Sequence, residues 1–261
     1  MNINLPDFLI IGAMKSGTSS LYRNLVNHPQ IVSATKKEVH FFDKKYDQGL
    51  EWYLSHFPML GENKKYYVTG EASPRYLIHP DAPKNAYDTL PQAKLIAILR
   101  NPVDRAYSHY HHMARKGKEQ LSFEEAVNRE LEQLSQQMEQ VLENYKTISS
   151  SYLTRGIYAD QFKRWMQFFP KEQFLILKSE DFFADPQSIF KQVTDFLNLP
   201  EWDFLEQKQW NVGQYDKMDV ELRKQLQTFF KPHNERLYEL LGRDFGWDDH
   251  NSSRVEKGGQ R

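Results

Sequence analysis

The 261-residue chain carries 34 Lys plus Arg against 35 Asp plus Glu, so its formal net charge is −1. This balance excludes a general nucleic-acid coat protein, and any anion that the chain binds has to meet a local cluster of basic side chains. With 39% hydrophobic and 14% aromatic residues, the chain can bury one large core, which excludes disordered, collagen-like and coiled-coil proteins. Cysteine is absent, which excludes a disulfide framework, a thiolate zinc site and a cysteine nucleophile, and favours a cytoplasmic protein.

No segment of the chain is typical of a membrane span or a signal peptide. The longest apolar run, residues 8–14, is too short to cross a bilayer and lacks the flanks of a signal peptide. The composition changes after Trp247, because only one of the fourteen residues that follow is apolar. We therefore assign residues 1–247 to one domain and predict that residues 248–261 form a disordered tail.

Apolar runs of strand length alternate with helical patterns along the chain. The predicted strands cover residues 8–11, 30–34, 66–69, 94–99 and 174–177. The predicted helices cover residues 19–27, 102–115, 122–145, 158–169, 186–197, 220–230 and 234–241. Nearly continuous apolar strands are typical of a sheet buried on both faces, so the alternation predicts an α/β fold with a central parallel sheet flanked by helices. The helix at 122–145 is amphipathic, and we expect its apolar stripe to face the core rather than a partner protein.

A glycine-containing turn joins the first predicted strand to the first helix. Such a turn aims backbone N–H groups and the positive end of the helix dipole at one point, where an oxyanion can bind. Gly12 and Gly17 have the spacing of the nucleotide loop G-x-x-x-x-G-K-[ST], but Thr18 replaces its lysine, and Lys15 lies inside the loop instead. Because the usual arrangement for a magnesium nucleoside triphosphate is incomplete, we predict a metal-free anionic donor. The alternative is that the glycines only permit a tight turn.

A second anion signal follows the strand at 94–99. Arg100 comes directly after this strand, where ligands collect in open α/β sheets, and its planar guanidinium can grip a phosphate. Ser108, on the helix that follows, can present a hydroxyl to the same site. The alternative is a helix-start ion pair of Arg100 or Arg105 with Asp104.

Glu38 and His40 form a candidate acid–base pair after the predicted strand at 30–34. In an extended chain these two side chains point the same way, while Val39 and Phe41 anchor the opposite face. A carboxylate beside an imidazole can act as a general base on a hydroxyl, provided that burial raises its pKa toward neutrality. The alternative is an ordinary surface Lys–Glu pair.

The histidines at 109, 111 and 112 raise the question of a metal site. His109 and His112 lie three apart on one predicted helix, but no acidic ligand is nearby in the sequence. A polar helix face explains this pattern better than a metal site does, so no metal is predicted.

Seven segments between Pro6 and Trp247 carry motifs that occur together in one enzyme family. They are residues 12–21, 37–43, 49–58, 70–76, 99–102, 155–165 and 231–247. In this order they resemble the PAPS-dependent sulfotransferases, in particular the heparan sulfate sulfotransferase-like branch and its bacterial relatives. The resemblance implies a P-loop-type parallel sheet and binding of 3′-phosphoadenosine 5′-phosphosulfate (PAPS) without a metal, with 3′,5′-adenosine bisphosphate (PAP) as the product.

The resemblance also implies which residues bind the donor. The 5′-phosphosulfate is assigned to Lys15, Ser16, Gly17, Thr18, Ser19 and Ser20, and the 3′-phosphate to Arg100 and Ser108. Asn211 and Gly213 belong to the segment that matches the loop over the adenine. These residues are therefore expected to contact PAPS.

Catalytic and acceptor residues are implied in the same way. Glu38 matches the general base, Lys15 stabilises charge on the leaving oxygen, and His40 orients the base. The expected acceptor-binding residues are Asp43, Arg75, Tyr76 and Tyr158.

One departure from the family bears on the acceptor. Ala72 stands where the glycosaminoglycan-modifying members have a lysine, which removes a contact associated with donor and acceptor. A heparan-like acceptor is therefore not expected, and the resemblance to the bacterial relatives implies a hydroxyl of a carbohydrate, lipid or small metabolite as the acceptor. Two alternatives remain open, a P-loop kinase or phosphohydrolase and a non-catalytic binder of nucleotide or sulfated glycan.

Overall fold

The computed structural model describes residues 5–143, 151–203 and 216–248. Its strands are β1 (Phe8–Gly12), β2 (Ile31–Ser33), β3 (Val68–Ala72), β4 (Lys94–Leu99) and β5 (Phe174–Lys178). They form one sheet in the order β2-β3-β1-β4-β5, and each neighbouring pair is parallel. The predicted α/β fold with a central parallel sheet is confirmed. Residues 249–261, which make up most of the predicted tail, lie outside the described residues.

Helices pack on both faces of the sheet. They are α1 (Thr18–Leu25), α2 (Gly49–Leu54), α3 (Ala82–Thr89), α4 (Pro102–Arg115), α5 (Phe123–Glu143), α6 (Tyr158–Trp165), α7 (Ser179–Ala184), α8 (Pro186–Leu197) and α9 (Val220–Leu241). The short helices α2, α3 and α7 are absent from the sequence prediction. No helix in the described part of the chain is both long enough and apolar enough to span a membrane.

Helix α9 corrects the prediction of two separate helices at its position. It continues through Pro232 without a break in helical assignment. Phe230 and Leu237, on either side of the proline, are both buried. The burial of this apolar face outweighs the one backbone hydrogen bond that proline cannot donate.

The core forms on both faces of the central strand β1. Phe8 and Ile10 pack on one face with apolar residues of α1 and α8, whereas Leu9 and Ile11 pack on the other face with residues of α2, α3 and α6. All four side chains are fully buried. Because both faces are covered, the run is continuously apolar rather than alternating.

Helix α5 packs against α4 and α9 through its apolar stripe, as expected. Val127 and Leu134 are buried in this third cluster. Glu130 lies on the same buried side, and its carboxylate accepts the backbone N–H groups of residues 152–154 at 2.7, 2.9 and 2.8 Å. The stripe therefore faces the core, and Glu130 holds the chain that leads into α6.

Four polar segments meet at one edge of the sheet, because parallel strands all present their carboxyl ends there. Residues 13–17 follow β1, Arg100 follows β4, Ser73 follows β3, and residues 34–40 follow β2. The sequence-predicted anion and acid–base residues lie on these segments.

Candidate active site

The turn after β1 is built around a glycine with a left-handed backbone. Gly17 has φ 103° and directly precedes α1, a conformation that costs other residues strain. A Cβ atom at this position would also lie 3.3 Å from Cζ of Phe183. The first turn of a helix presents N–H groups that the helix's own carbonyls do not reach, so the turn has the geometry of an oxyanion cradle.

Lys15, inside this turn, lies in a region of converging positive charge. Its pKa is lowered to about 8, first by burial and then by the charges of Arg115, Arg100, Lys116 and Arg105. A bound anion offsets this repulsion, because it restores a favourable environment for the ammonium. The residues present therefore fit a donor that carries phosphate groups.

The second anion segment lies at the end of β4. Asn101 caps α4, its side-chain oxygen accepting the N–H of Val103 at 3.0 Å. Ser108 lies on α4 and is 7% exposed. Asp104 pairs with Arg223 at 2.6 Å. The alternative of an ion pair between Arg100 and Asp104 is therefore not seen among the described contacts.

Arg105 is fully buried and donates to the carbonyl oxygen of Tyr152. It is therefore also not the partner of Asp104 within the described chain. Its charge adds to the positive field at Lys15.

Glu38, His40 and Asp43 form a chain of ionic contacts. His40 Nε2 lies 3.2 Å from Glu38 Oε2, and His40 Nδ1 lies 3.1 Å from Asp43 Oδ2. Lys37 Nζ lies 2.8 Å from Glu38 Oε1, and Arg75 Nε lies 3.5 Å from Asp43 Oδ2. The Asp43 side chain has no exposed surface, whereas Glu38 is 41% exposed and thus open to an acceptor.

The protonation states follow from these contacts. Burial works to lower the pKa of His40, but the hydrogen bonds to Asp43 and Glu38 outweigh it and raise that pKa. Burial likewise works to raise the pKa of Glu38, but His40 and Lys37 outweigh it and lower that pKa to about 2. The condition that burial raises the pKa of Glu38 toward neutrality is therefore not met, because its cationic partners dominate.

The path of the backbone at this site also differs from the prediction. His40 has φ 59° and begins a π-helical turn over Phe41–Lys45, so the chain is not extended there. Val39 and Phe41 are nevertheless buried. Glu38 and His40 meet because the turn folds the two side chains together.

Two of the four predicted acceptor-binding residues lie beneath the site instead. Tyr76 is 0% exposed and Tyr158 is 1% exposed, so neither side chain can touch an acceptor in this structure. The Tyr158 hydroxyl donates to the carbonyl oxygen of Arg100 at 3.0 Å and also faces Ser16. Asp43 contacts His40, but its side chain has no exposed surface either, so of the predicted set only Arg75, with 26% of its side chain exposed, is open to an acceptor.

The predicted donor residues fall into three groups. Lys15, Gly17 and the buried hydroxyl residues of the turn lie together after β1; these hydroxyl residues are Ser16, Thr18 and Ser20. Ser19 lies on the same turn of α1. Arg100 and Ser108 form the second group. Asn211 and Gly213 lie outside the described residues.

A basic face of α4 belongs to the site and is absent from the sequence prediction. The pKa of His112 is lowered to about 4, first by burial and then by Lys15, Lys116 and Arg115, while Glu38 opposes this shift. His112 therefore lies within electrostatic reach of both Lys15 and Glu38. The sequence does contain the pattern that indicates this face, since positions 108, 112 and 115 share one side of the predicted helix at spacings of four and three.

The histidines of α4 do not form a metal site in the described part of the chain. No group of three or more His, Cys, Asp or Glu side chains is arranged there to hold a metal ion. His109 is buried, and burial together with Arg105 and Arg155 lowers its pKa well below the usual value.

The sulfotransferase domain family matches residues 5–218. The chain belongs to this family. It is 30% identical to a membrane-associated sulfotransferase of Dictyostelium discoideum, over 94% of this chain and 67% of that protein. It is also 30% identical to heparan sulfate glucosamine 3-O-sulfotransferase 6 of Mus musculus, over 93% of this chain and 74% of that protein.

A solved structure agrees with this assignment. The crystal structure of a sulfotransferase from Alicyclobacillus acidocaldarius superimposes with a TM-score of 0.75 and 33% identity, covering 94% of this chain and 99% of that one. The chain spans only 30% of the bifunctional heparan sulfate N-deacetylase/N-sulfotransferases that it also matches. It is a sulfotransferase of the 2.8.2 class, and the family uses PAPS as donor.

Proposed function

We propose that this chain transfers the sulfuryl group of PAPS to a hydroxyl of a carbohydrate, lipid or small metabolite, with Glu38 as the general base. The observation that carries the proposal is the joint placement of two charges. Lys15 follows β1 and Glu38 follows β2, so both lie at the carboxyl end of one parallel sheet, and the charges of both act on the pKa of His112. This placement gives one site a cation suited to the leaving group and a carboxylate suited to the attacking hydroxyl.

Each of these residues has one task in the proposed displacement. The acceptor oxygen forms its bond to sulfur as the bond from sulfur to the 5′-phosphate oxygen breaks. Lys15 stabilises the negative charge that develops on the departing oxygen. Glu38 takes the acceptor proton, and His40, held by Asp43, fixes the carboxylate during that transfer.

The low pKa of Glu38 is compatible with this task. The carboxylate is ionised at neutral pH and ready to accept a proton. The acidity of a hydroxyl rises as its oxygen bonds to sulfur, so a weak base is sufficient late in the transfer. The alternative of an inert Lys37–Glu38 surface pair does not explain why His40 and Asp43 extend the chain of contacts inward.

The donor contacts are proposed on the geometry of two anion segments. Lys15 and residues 16–20 support binding of the 5′-phosphosulfate, and Arg100 with Ser108 supports binding of the 3′-phosphate. Asn211 and Gly213 are proposed as donor contacts from the family resemblance alone. One donor with a phosphate at each end accounts for both segments.

Calorimetric titration and label transfer test the proposal. We expect PAP to bind in EDTA, and we expect Arg100→Ala to abolish that binding. Labelled PAPS should pass its sulfuryl group to at least one member of a panel of glycan, lipid and phenolic hydroxyls, and Lys15→Ala should remove most of that transfer. Binding of magnesium ATP alone would favour the kinase alternative, and PAP binding without any transfer would favour the non-catalytic binder.

A further inference from the structure

Three consecutive backbone amides of the turn that carries Glu38 and His40 are held by side chains from β3 and from the segment that follows it. The bonds run from Val39 N to Glu71 Oε2 at 3.1 Å, from His40 N to Ser73 Oγ at 3.1 Å, and from Phe41 N to Tyr76 Oη at 2.8 Å. Glu71, Ser73 and Tyr76 have no exposed surface. A side-chain frame therefore fixes this turn from below.

The Glu71 carboxylate is the final acceptor of this frame. Ser73 Oγ donates to Glu71 Oε2 at 2.6 Å, and Tyr76 Oη donates to Glu71 Oε1 at 2.6 Å. Each hydroxyl oxygen accepts a hydrogen bond from a backbone N–H, and each hydroxyl donates a hydrogen bond to the carboxylate. All donors are satisfied in this arrangement only when Glu71 is ionised, because a protonated carboxyl would itself have to donate.

The turn needs such a frame because its backbone is strained. His40 has φ 59°, in the left-handed region that residues with a Cβ atom rarely adopt. That conformation aims the imidazole between Glu38, at 3.2 Å, and Asp43, at 3.1 Å. If the three amides are released, the backbone can relax, and the imidazole then no longer holds Glu38.

We propose that Glu71 is a positioning residue of this enzyme, which through Ser73 and Tyr76 fixes the amides of residues 39–41 and so directs Glu38 and His40 at the reacting hydroxyl. This inference rests on the proposed role of Glu38. Glu71 has no exposed surface, so its side chain is closed to donor and acceptor alike. It acts through the turn alone.

The surroundings of Glu71 make the frame sensitive to pH. Burial raises the pKa of Glu71 to about 7, against the hydrogen bonds from Ser73, Tyr76 and Val39 and the charge of His40. The other titratable groups that face it are the hydroxyls of Tyr22 on α1 and Tyr53 on α2. As the pH falls through about 7, Glu71 takes up a proton, and the frame loses its final acceptor.

Hydrogen exchange tests the frame without any acceptor substrate. In wild-type protein, we expect the protection factors of amides 39–41 to fall about 10-fold as the pH is lowered through 7, as expected for loss of a charge-assisted hydrogen bond. In Glu71→Gln, these amides should exchange about 10-fold faster than in wild type at pH 8, with no further change in protection at lower pH. PAP affinity, measured by calorimetry, should stay within about twofold, since the turn after β1 is separate from the frame.

Glu130→Gln is the matched control, because Glu130 is another buried carboxylate that holds a backbone segment. It accepts three backbone amides directly, whereas Glu71 accepts one directly and acts on two through Ser73 and Tyr76. It should lower the melting temperature without changing the protection of residues 39–41. If Glu71→Gln does not fold, Ser73→Ala and Tyr76→Phe each remove one link and should each release one amide, that of His40 or of Phe41. Wild-type protection in these variants would overturn the proposal.

Transfer kinetics separate this proposal from the proposed function. With any acceptor that the label assay identifies, Glu71→Gln should lower kcat by about 10- to 100-fold and leave the KM for PAPS unchanged. The fall in kcat that wild-type enzyme shows as the pH drops through about 7 should be absent from this variant. An unchanged kcat would overturn the positioning role even if transfer itself is established. If no acceptor is found, the exchange result still decides whether Glu71 holds the turn.

Discussion

The Tyr158 hydroxyl donates to the carbonyl oxygen of Arg100 across 3.0 Å. The same hydroxyl faces Ser16 in the turn after β1. Tyr158 is buried, so this contact lies under the site and joins the two segments that are proposed to bind the two ends of the donor.

Removal of that hydroxyl should weaken donor binding at the 3′-phosphate. Tyr158→Phe loses a buried hydrogen bond worth about 1 kcal/mol, and we expect the Kd for PAP to rise about fivefold. Titration with AMP, which lacks the 3′-phosphate, should show a smaller change. Tyr22→Phe is the control, since its hydroxyl bridges Gly70 and Ala34 instead. An equal loss for PAP and AMP would contradict the link to Arg100.

PAP binding should depend on pH through Lys15. The pKa of Lys15 is lowered to about 8 in the free protein, and the bound anion raises it, so binding takes up a proton near pH 8. Affinity should therefore be highest below pH 8 and fall as the pH rises through 8, by up to about 10-fold per pH unit. Calorimetry at pH 8 in two buffers of different ionisation enthalpy measures the uptake. Lys15→Arg should abolish it, and a pH-independent Kd in wild type would exclude Lys15 from the anion site.

Glu38→Gln should separate chemistry from donor binding. Loss of a general base lowers turnover by about 100-fold or more, whereas the Kd for PAP should change little because the carboxylate serves proton transfer. Single-turnover transfer from labelled PAPS and calorimetry with PAP measure the two effects. Glu124→Gln, at an exposed position of α5, is the control for loss of a carboxylate. Normal turnover in Glu38→Gln would remove Glu38 from the mechanism.

Asp43→Asn should lower the pKa of His40 and destabilise the fold in a pH-dependent way. The raised pKa of His40 means that its ionic contacts contribute full stability below pH 6.5 and lose it as the pH rises through the folded-state value. The substitution should therefore lower the free energy of unfolding by about 3 kcal/mol below pH 6.5 and by clearly less at high pH. Denaturant unfolding across pH and NMR titration of His40 measure both effects.

Asp47→Asn supplies the comparison, because Asp47 is exposed and close in sequence. It should leave both the stability and the pKa of His40 near the wild-type values. A destabilisation by Asp43→Asn that is the same at every pH would contradict the ionic role of the His40–Asp43 contact.

The sequence predicts the fold where the determinants are local. β4 begins and ends where predicted, because its apolar run stops at polar residues on both sides. The sequence does not predict helices α2, α3 and α7, since each spans only six to eight residues, too few for a helical repeat of apolar residues to show. Pro232 suggested a break in α9, but packing on both sides of it decides the outcome.

In the site too, the residues that the sequence predicts are those with local determinants. Lys15 and Arg100 follow buried strands and can be located by sequence order alone. Glu71 and the lowered pKa of Glu38 depend on contacts between segments far apart in sequence, which a reading of one segment at a time does not reveal.

The strand order also places the groups proposed to bind the donor and the groups proposed to act on the acceptor on different sides of β1. Groups proposed to hold the donor follow β1 and β4, whereas Glu38 and His40 follow β2, and their frame lies in and directly after β3, on the other side of β1. Substitutions on the second side can alter the acceptor while the donor residues are inherited unchanged. A lineage built on this sheet can therefore diversify the molecules that it modifies while every descendant draws on the same activated sulfate.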